Sequence, residues 1–404
     1  MKSLLFYVAV VACAGVCAVP KVENVALTLD LPNSIEVTYD LADEPAIVTL
    51  AVSTNDVAVE DSRVVSLTGD VCRRIESGEG KKLHWAIGRD WPGAELPQGL
   101  AVTVLAWPTN SPPPYMAVDL TVKSNLFFYA SADSVPGGDT NRIYKTTMML
   151  MRRIPAAGIQ WLMGSPSGET DRQTNGSEDP HLVTLSSDYY MAVYPITQRQ
   201  WKIFNSTKTF NYNDGDETLP AESFGWTNLR GQRTQGYSWP QNMHTVKSDS
   251  LLGKMRAFCG LELDLPTEAQ WEYACRAGSS GPYADGLSEV DGLGWYSSLT
   301  NRAVGVGLKN KNAWGLYDMH GNVWELCLDW YSTGLTGPVE DPKGPDDIPA
   351  DTEFTVNSCV VRGGSHGTDA ANCRSARRRP AKDYSSKDYH KTVGGRLVCP
   401  VTVW

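Results

Sequence analysis

The chain has 404 residues, 42% of them hydrophobic, and a formal net charge of −10 at pH 7. That length accommodates two domains, and the composition is that of an ordinary soluble globular protein. The acidic balance, with no long basic run to offset it, argues against a nucleic-acid partner. At the start of the chain, Lys2 precedes an apolar run from Leu4 to Val16, and Val16-Cys-Ala18 places small residues where a cleavage site needs them. Residues 1–18 therefore read as a signal peptide cut after Ala18. The run is too short for a permanent membrane helix. Val10-Val-Ala-Cys13 leaves a lipoprotein signal open, and lipidation at Cys13 is the only route to a membrane that the sequence offers. Either form implies export (secreted, periplasmic or cell surface) into an oxidising compartment.

Residues 19–123 alternate with period two. Asn24–Asp30, Ile35–Tyr39, Ala46–Val52 and Ala101–Ala106 read as strands separated by short polar turns. They predict an all-β sandwich of immunoglobulin or fibronectin type, with Trp85 and Trp91 in or near its core. Nothing catalytic stands out there, and the segment reads as a spacer or adhesion module. Residues 124–146 read as a linker, because Ser131–Asp139 is dense in turn residues.

Residues 147–404 form the second domain. Thr197-Gln-Arg-Gln200 is a capping box before a helix with Trp201 and Phe204 on one face. Asp249 can cap a helix carrying Leu251, Leu252, Met255, Phe258 and Cys259, which Gly260 ends. Thr267-Glu-Ala-Gln270 is a second capping box, with Trp271 and Ala274 inward and Gly278 at the far end. The rest is mostly Gly-, Asn- and Asp-rich loop.

Within that domain, Gly315-Leu-Tyr-Asp-Met-His-Gly-Asn-Val-Trp-Glu-Leu326 is followed by Arg362-Gly-Gly-Ser-His366, Cys373-Arg-Ser-Ala376 and Gly394-Gly-Arg-Leu397. Upstream stand Ile154-Pro-Ala-Ala-Gly-Ile-Gln-Trp-Leu-Met-Gly-Ser165 and Leu265-Pro-Thr-Glu-Ala-Gln-Trp-Glu-Tyr-Ala-Cys-Arg-Ala-Gly278. In this order the motifs resemble the formylglycine-generating enzyme (sulfatase-modifying factor) family over roughly residues 147–400. The resemblance implies a loop-rich α+β domain related in topology to C-type lectins. It leaves the chemistry to the site, since fold does not dictate function.

Read from the residues, Asp318 and Glu325 flank a Gly-Asn turn at Gly321 and Asn322, which suits either a hard cation or a tight turn in which Glu325 meets an arginine. The resemblance implies one structural calcium held by Asp318 and Glu325 side chains with the Gly321 and Val323 carbonyls. It implies as well that two cysteines soon after Gly-Gly-Ser bind copper(I) and activate oxygen, since soft thiolates suit that ion. Counting forward from Ser365, those positions fall on Thr368 and Cys373; counting back from Gly394, Cys373 sits on the strand after the active loop. In both registers the first cysteine is missing. The six histidines show no HxxxH spacing, so a histidine iron site is not expected. His366 reads as filling an aromatic's space with a hydrogen bond, or else as an acid–base group in the recess.

Of nine cysteines, seven lie after Ala18, and the odd count leaves at least one unpaired. The resemblance implies the pairs Cys275–Cys373 and Cys259–Cys399, with Cys327–Cys359 remaining and Cys72 free. The basic stretch Cys373–Lys382 and the Tyr- and Ser-rich stretch Asp383–His390 predict an exposed ligand face, with Ser365, His366, Thr368, Arg374 and Arg377 toward the ligand. Two functions follow. One is a binding protein presenting loops 362–397 to a protein or glycan. The alternative is a formylglycine-generating oxidase that uses copper on a sulfatase cysteine, with Cys373 and His366 its catalytic candidates.

Overall fold

A computed structural model describes residues 19–30, 34–55, 57–60, 63–92, 99–212, 215–231, 246–334, 336–345, 358–382 and 391–401. The expected signal peptide with Cys13, and the stretch Asp383–His390, lie outside the described residues. The chain divides into two compact units, one of residues 1–117, 126–141 and 401–404, the other of residues 118–125 and 142–400.

In the first unit, β1 (Lys21–Asp30), β2 (Ser34–Ala42), β3 (Ala46–Thr54), β4 (Val57–Ala58), β5 (Leu67–Gly69), β6 (Arg73–Ile75), β7 (Gly78–Trp85) and β8 (Leu100–Pro108) form two sheets. One runs β1-β2-β7-β5; in the other, β3 pairs with β4, β6 and β8. On β2, every second residue from Ile35 to Leu41 is buried, so the period-two pattern is the packing pattern. The two inner faces close over Ile35, Val37, Leu83, Val102 and Val104. Trp85 and Trp91 meet edge to face in that core, ring centroids 5.0 Å apart. A short helical turn, α1 (Ile87–Asp90), carries Asp90, which accepts from the Trp85 indole and from the backbone of Val65 and Ser66. Cys72 is a half-buried thiol in this unit.

The segment read as a linker is ordered. After β9 (Tyr115–Asp119), residues Leu126–Tyr129 form β10, and Arg142–Lys145 form a 3-10 turn.

In the second unit, β11 (Met148–Ile154), β12 (Ile159–Met163), β13 (His181–Leu185) and β14 (Tyr189–Ala192) precede four helices, α2 (Gln198–Phe204), α3 (Trp226–Arg230), α4 (Leu251–Cys259) and α5 (Glu268–Arg276). Thr197 and Thr267 make their capping boxes as expected. Helix α4 is capped by Ser250, whose hydroxyl accepts from Gly253 N, one residue beyond the expected Asp249. Helix α5 ends on Ala277 in the left-handed region, one residue before Gly278. Helix α3 was not anticipated; it is a single turn without apolar periodicity.

Then come β15 (Gly294–Trp295), β16 (His320–Gly321), β17 (Trp324–Trp330), β18 (Val339–Glu340), β19 (Ser358–Arg362), β20 (Arg378–Lys382), β21 (Val393–Gly395) and β22 (Val398–Pro400). Strand β14 pairs with β11 and β22, β13 with β12 and β18, and β15 with β16. The order β20-β19-β17-β21 makes the last sheet. It brings the three motif stretches side by side, with Glu325 opposite Arg362 on one flank and Gly394 on the other. Central strand β17 is buried on both faces, so its sequence shows no period-two alternation, and its two carboxylates, Glu325 and Asp329, are buried along with its tryptophans, Leu326 and Cys327. Trp271, Cys275, Met319, Cys327 and Val360 share the core beneath this sheet.

Candidate functional site

The motif sheet is held by buried guanidinium–carboxylate pairs. Arg362, fully buried, donates to Glu272 and to the carbonyls of Ser375 and Ala376, both at 2.8 Å. Arg378 grips both oxygens of Glu268. Arg374, 1% exposed, spans Glu169 and Glu178 at 2.6 and 2.9 Å. A forked guanidinium matches a carboxylate in this way, and a buried one needs such partners. Asp329 on β17 accepts from Glu268 N at the start of α5 (2.7 Å). Burial, and then the charge of Glu268, push its carboxyl up to about 8.

That raised value has a sign. The neutral form of Asp329 is favoured in the fold, so its stabilisation is complete below the unfolded value of 3.8 and is lost as pH rises through about 8. An Asp329→Asn variant keeps an acceptor for Glu268 N. Relative to the parent it should gain stability as pH rises from 5 to 9, on the order of 4 kcal/mol. Urea unfolding at the two pH values measures this; a difference that stays flat with pH would refute the assignment.

Glu325 does not face an open ion site. Arg396 reaches its two oxygens at 2.8 and 3.0 Å, and the Trp271 indole donates to it at 2.7 Å. Asp318 accepts from Gly307 N at 2.6 Å, and burial pushes it up to about 6. The calcium ring expected of Asp318, Gly321, Val323 and Glu325 does not fit this arrangement, because a guanidinium already neutralises the carboxylate that would bind the metal. Among the described residues, no three His, Cys, Asp and Glu side chains converge as a metal-binding group.

The cysteine pairs are corrected too. No disulfide joins the described cysteines. Cys275 Sγ faces Ser375 Oγ and His320 Nε2, each at 3.7 Å, while Cys373 Sγ points to the carbonyl of Asp369. The expectation placed Cys373 on the strand after the active loop, but Ala370–Cys373 is a 3-10 turn. Cys327 shares a core with Val360, and in an extended strand the neighbouring Cys359 faces the opposite side. Cys259 and Cys399 are both buried and close enough to interact electrostatically. His320 is fully used: its Nδ1 donates to Cys373 O (2.7 Å) and its Nε2 accepts from Ala284 N (3.1 Å).

The loop after β19 is more buried than a ligand face would be. Ser365, His366 and Arg374 are inside, whereas Thr368 and Arg377 are half-exposed. His366 packs edge-on against Tyr212 at 5.1 Å, and its two ring nitrogens have no hydrogen-bond partner among the described residues. Burial lowers its pKa to about 4, so the ring is neutral at pH 7. Thr368 and Arg377 border a recess of about 500 Å³, along with Trp324, Asn372 and Arg379. The sequence reading missed Trp324 and Arg379. Strand alternation around the inward Arg378 was the signal that could have found the second of them.

A sulfatase-modifying factor enzyme 1-like domain model matches residues 156–400, more than half the chain. The chain belongs to this family. A formylglycine-generating enzyme of Streptomyces coelicolor is 36% identical over 119 residues, covering 25% of this chain and 35% of that protein. Serine/threonine-protein kinase Pkn1 of Chlamydia trachomatis is 29% identical over 197 residues, covering 46% of this chain and 29% of that one. The chain thus spans about a third of the length of these curated relatives. Among solved structures, Treponema denticola variable protein 1 is similar over 63% of this chain and 96% of its own, at 22% identity and a TM-score of 0.46.

Copper can be tested against this sulfatase-modifying factor domain in the same way as calcium. Thr368 stands where a second sulfur would be needed, and its hydroxyl exchanges hydrogen bonds with the Ser365 backbone, both 3.0 Å. Burial pushes the Cys373 thiol up to about 12, so it is protonated at pH 7. One buried thiol without a second sulfur does not fit a copper(I) pair.

Proposed function

We propose that the protein is an exported, non-oxidase member of the sulfatase-modifying factor family. Its second unit presents the 362–397 loops to a protein or glycan ligand. The observation that carries the reading is Thr368 in place of the first cysteine, beside a buried and protonated Cys373. Oxygen activation at a copper(I)–thiolate centre asks for the opposite, namely ionised and accessible sulfur. The half-exposed Arg377 and Thr368, at the edge of a recess, suit binding instead.

The alternative, oxidation of a sulfatase cysteine to formylglycine, is favoured by family membership and by the Streptomyces coelicolor relative. One experiment separates the two. Reduced protein is titrated with copper(I), and oxygen consumption is then followed with a cysteine-containing sulfatase peptide. The expected result is no stoichiometric copper and no turnover. Tight binding of one copper with oxygen uptake would overturn the proposal.

A further inference from the structure

The recess beside β20 is unusual for so acidic a chain. No aspartate or glutamate among the described residues lines it, yet three consecutive arginines do. Arg378 is already neutralised by Glu268. Arg377 and Arg379 flank it in sequence and have no ion-pair partner among the described residues. The Nε of Arg377 is buried without an acceptor. The guanidinium of Arg379 lies 5.8 Å from the centroid of the Trp324 ring. Trp324 is fully buried, lines the recess, and its indole N–H also lacks an acceptor among the described residues. A buried donor without an acceptor is costly, and two such donors, Arg377 Nε and Trp324 Nε1, belong to residues lining this one cavity, with the exposed Arg379 beside them.

The remaining wall is amide-rich. Asn175 uses its oxygen on Ser177, and Asn372 uses its nitrogen on Asp369. Among the described residues, Asn175 Nδ2 and Asn372 Oδ1 have no further hydrogen-bond partner. A donor and an acceptor so placed suit hydroxyl groups, which do both. The volume, about 500 Å³, far exceeds that of a lone carboxylate.

From this we infer that the recess binds an acidic sugar, a uronic acid residue of a glycan, whose carboxylate meets Arg377 and Arg379 and whose hydroxyls meet Asn175 and Asn372. The inference rests on the binding reading above and names its ligand class. The planar guanidinium fork supplies paired bonds to a carboxylate that a lysine does not.

The test titrates the full chain with trigalacturonate at low salt, followed by tryptophan fluorescence. Neutral maltotriose and a glutamate-rich peptide of equal charge are run alongside. Trigalacturonate should bind and maltotriose should not. Arg377→Gln and Arg379→Gln should each weaken binding about tenfold, the effect of one lost charge-assisted hydrogen bond. High salt should weaken the parent's binding as well, a readout that needs no variant. Because neither arginine has an ion-pair partner among the described residues, both variants should keep the parent's unfolding midpoint.

Failure of trigalacturonate to bind, equal binding of maltotriose, preference for the peptide, or variants that bind like the parent would each overturn the assignment. If a different glycan or protein binds and ignores the Arg377 and Arg379 changes, the binding reading stands and the acidic sugar falls. Copper-dependent turnover would remove the binding reading itself.

Discussion

Replacing Arg396 by methionine should lower the unfolding free energy of the second unit by about 3–5 kcal/mol, the effect of stranding one charge of a buried pair. Arg396 is fully buried and donates to the carbonyls of Ala192, Val193 and Tyr317 (2.9, 2.8 and 2.6 Å) as well as to Glu325. Methionine fills the space but supplies no donor. Among the described residues Glu325 would then keep only the Trp271 indole, and three carbonyls would be left without that partner. Adding Glu325→Gln removes the stranded charge and keeps an acceptor for Trp271. The double variant should therefore be more stable than Arg396→Met alone, a coupling that a double-mutant cycle isolates. Urea unfolding at pH 7, with and without chelator, is the measurement. A loss below about 1 kcal/mol would place the pair among ion pairs of little worth. A chelator-dependent loss would revive a metal at Glu325.

The Glu325–Arg396 pair also marks where sequence reading stopped. A carboxylate beside a Gly-Asn turn announces a cation, but not whether that cation is a metal or an arginine 71 residues away. The capping boxes at Thr197 and Thr267 were legible because each is closed within four residues. The strands of the first unit were legible because one buried face forces alternation, as on β2. The cysteine pairs were not, since pairing depends on which face a distant residue turns, and the turn at Ala370–Cys373 redirects Cys373 away from Cys275. The basic run from Cys373 to Lys382 looked like one exposed face. In the fold it splits: Arg374 and Arg378 go inward to Glu178 and Glu268, and Arg377 and Arg379 stay at the recess. Residue type alone does not carry that division. It comes from strand alternation and from where the acidic partners on β13's approach and on α5 happen to lie.

Gly321→Ala should cost about 3 kcal/mol or more, because left-handed strain and the loss of buried backbone hydrogen bonds fall on one residue. Gly321 sits at φ +93°, and an added Cβ would stand 2.1 Å from Trp295 O and 2.9 Å from Trp295 N. Both contacts are backbone, so no side chain can swing aside. Relief requires opening the β15–β16 bridge, in which Trp295 pairs with Gly321. That movement would also endanger Gly321 N to Gly363 O (2.6 Å) and Asn322 N to Trp295 O (2.7 Å). Gly278→Ala is the internal control: its φ is +88°, and nothing lies within 4 Å of the added methyl. It should lose only the conformational part, about 1–2 kcal/mol. The gap between the two variants in urea unfolding isolates crowding from backbone strain. If both lose the same amount, the close approach of Trp295 to the motif turn is not what demands glycine at position 321.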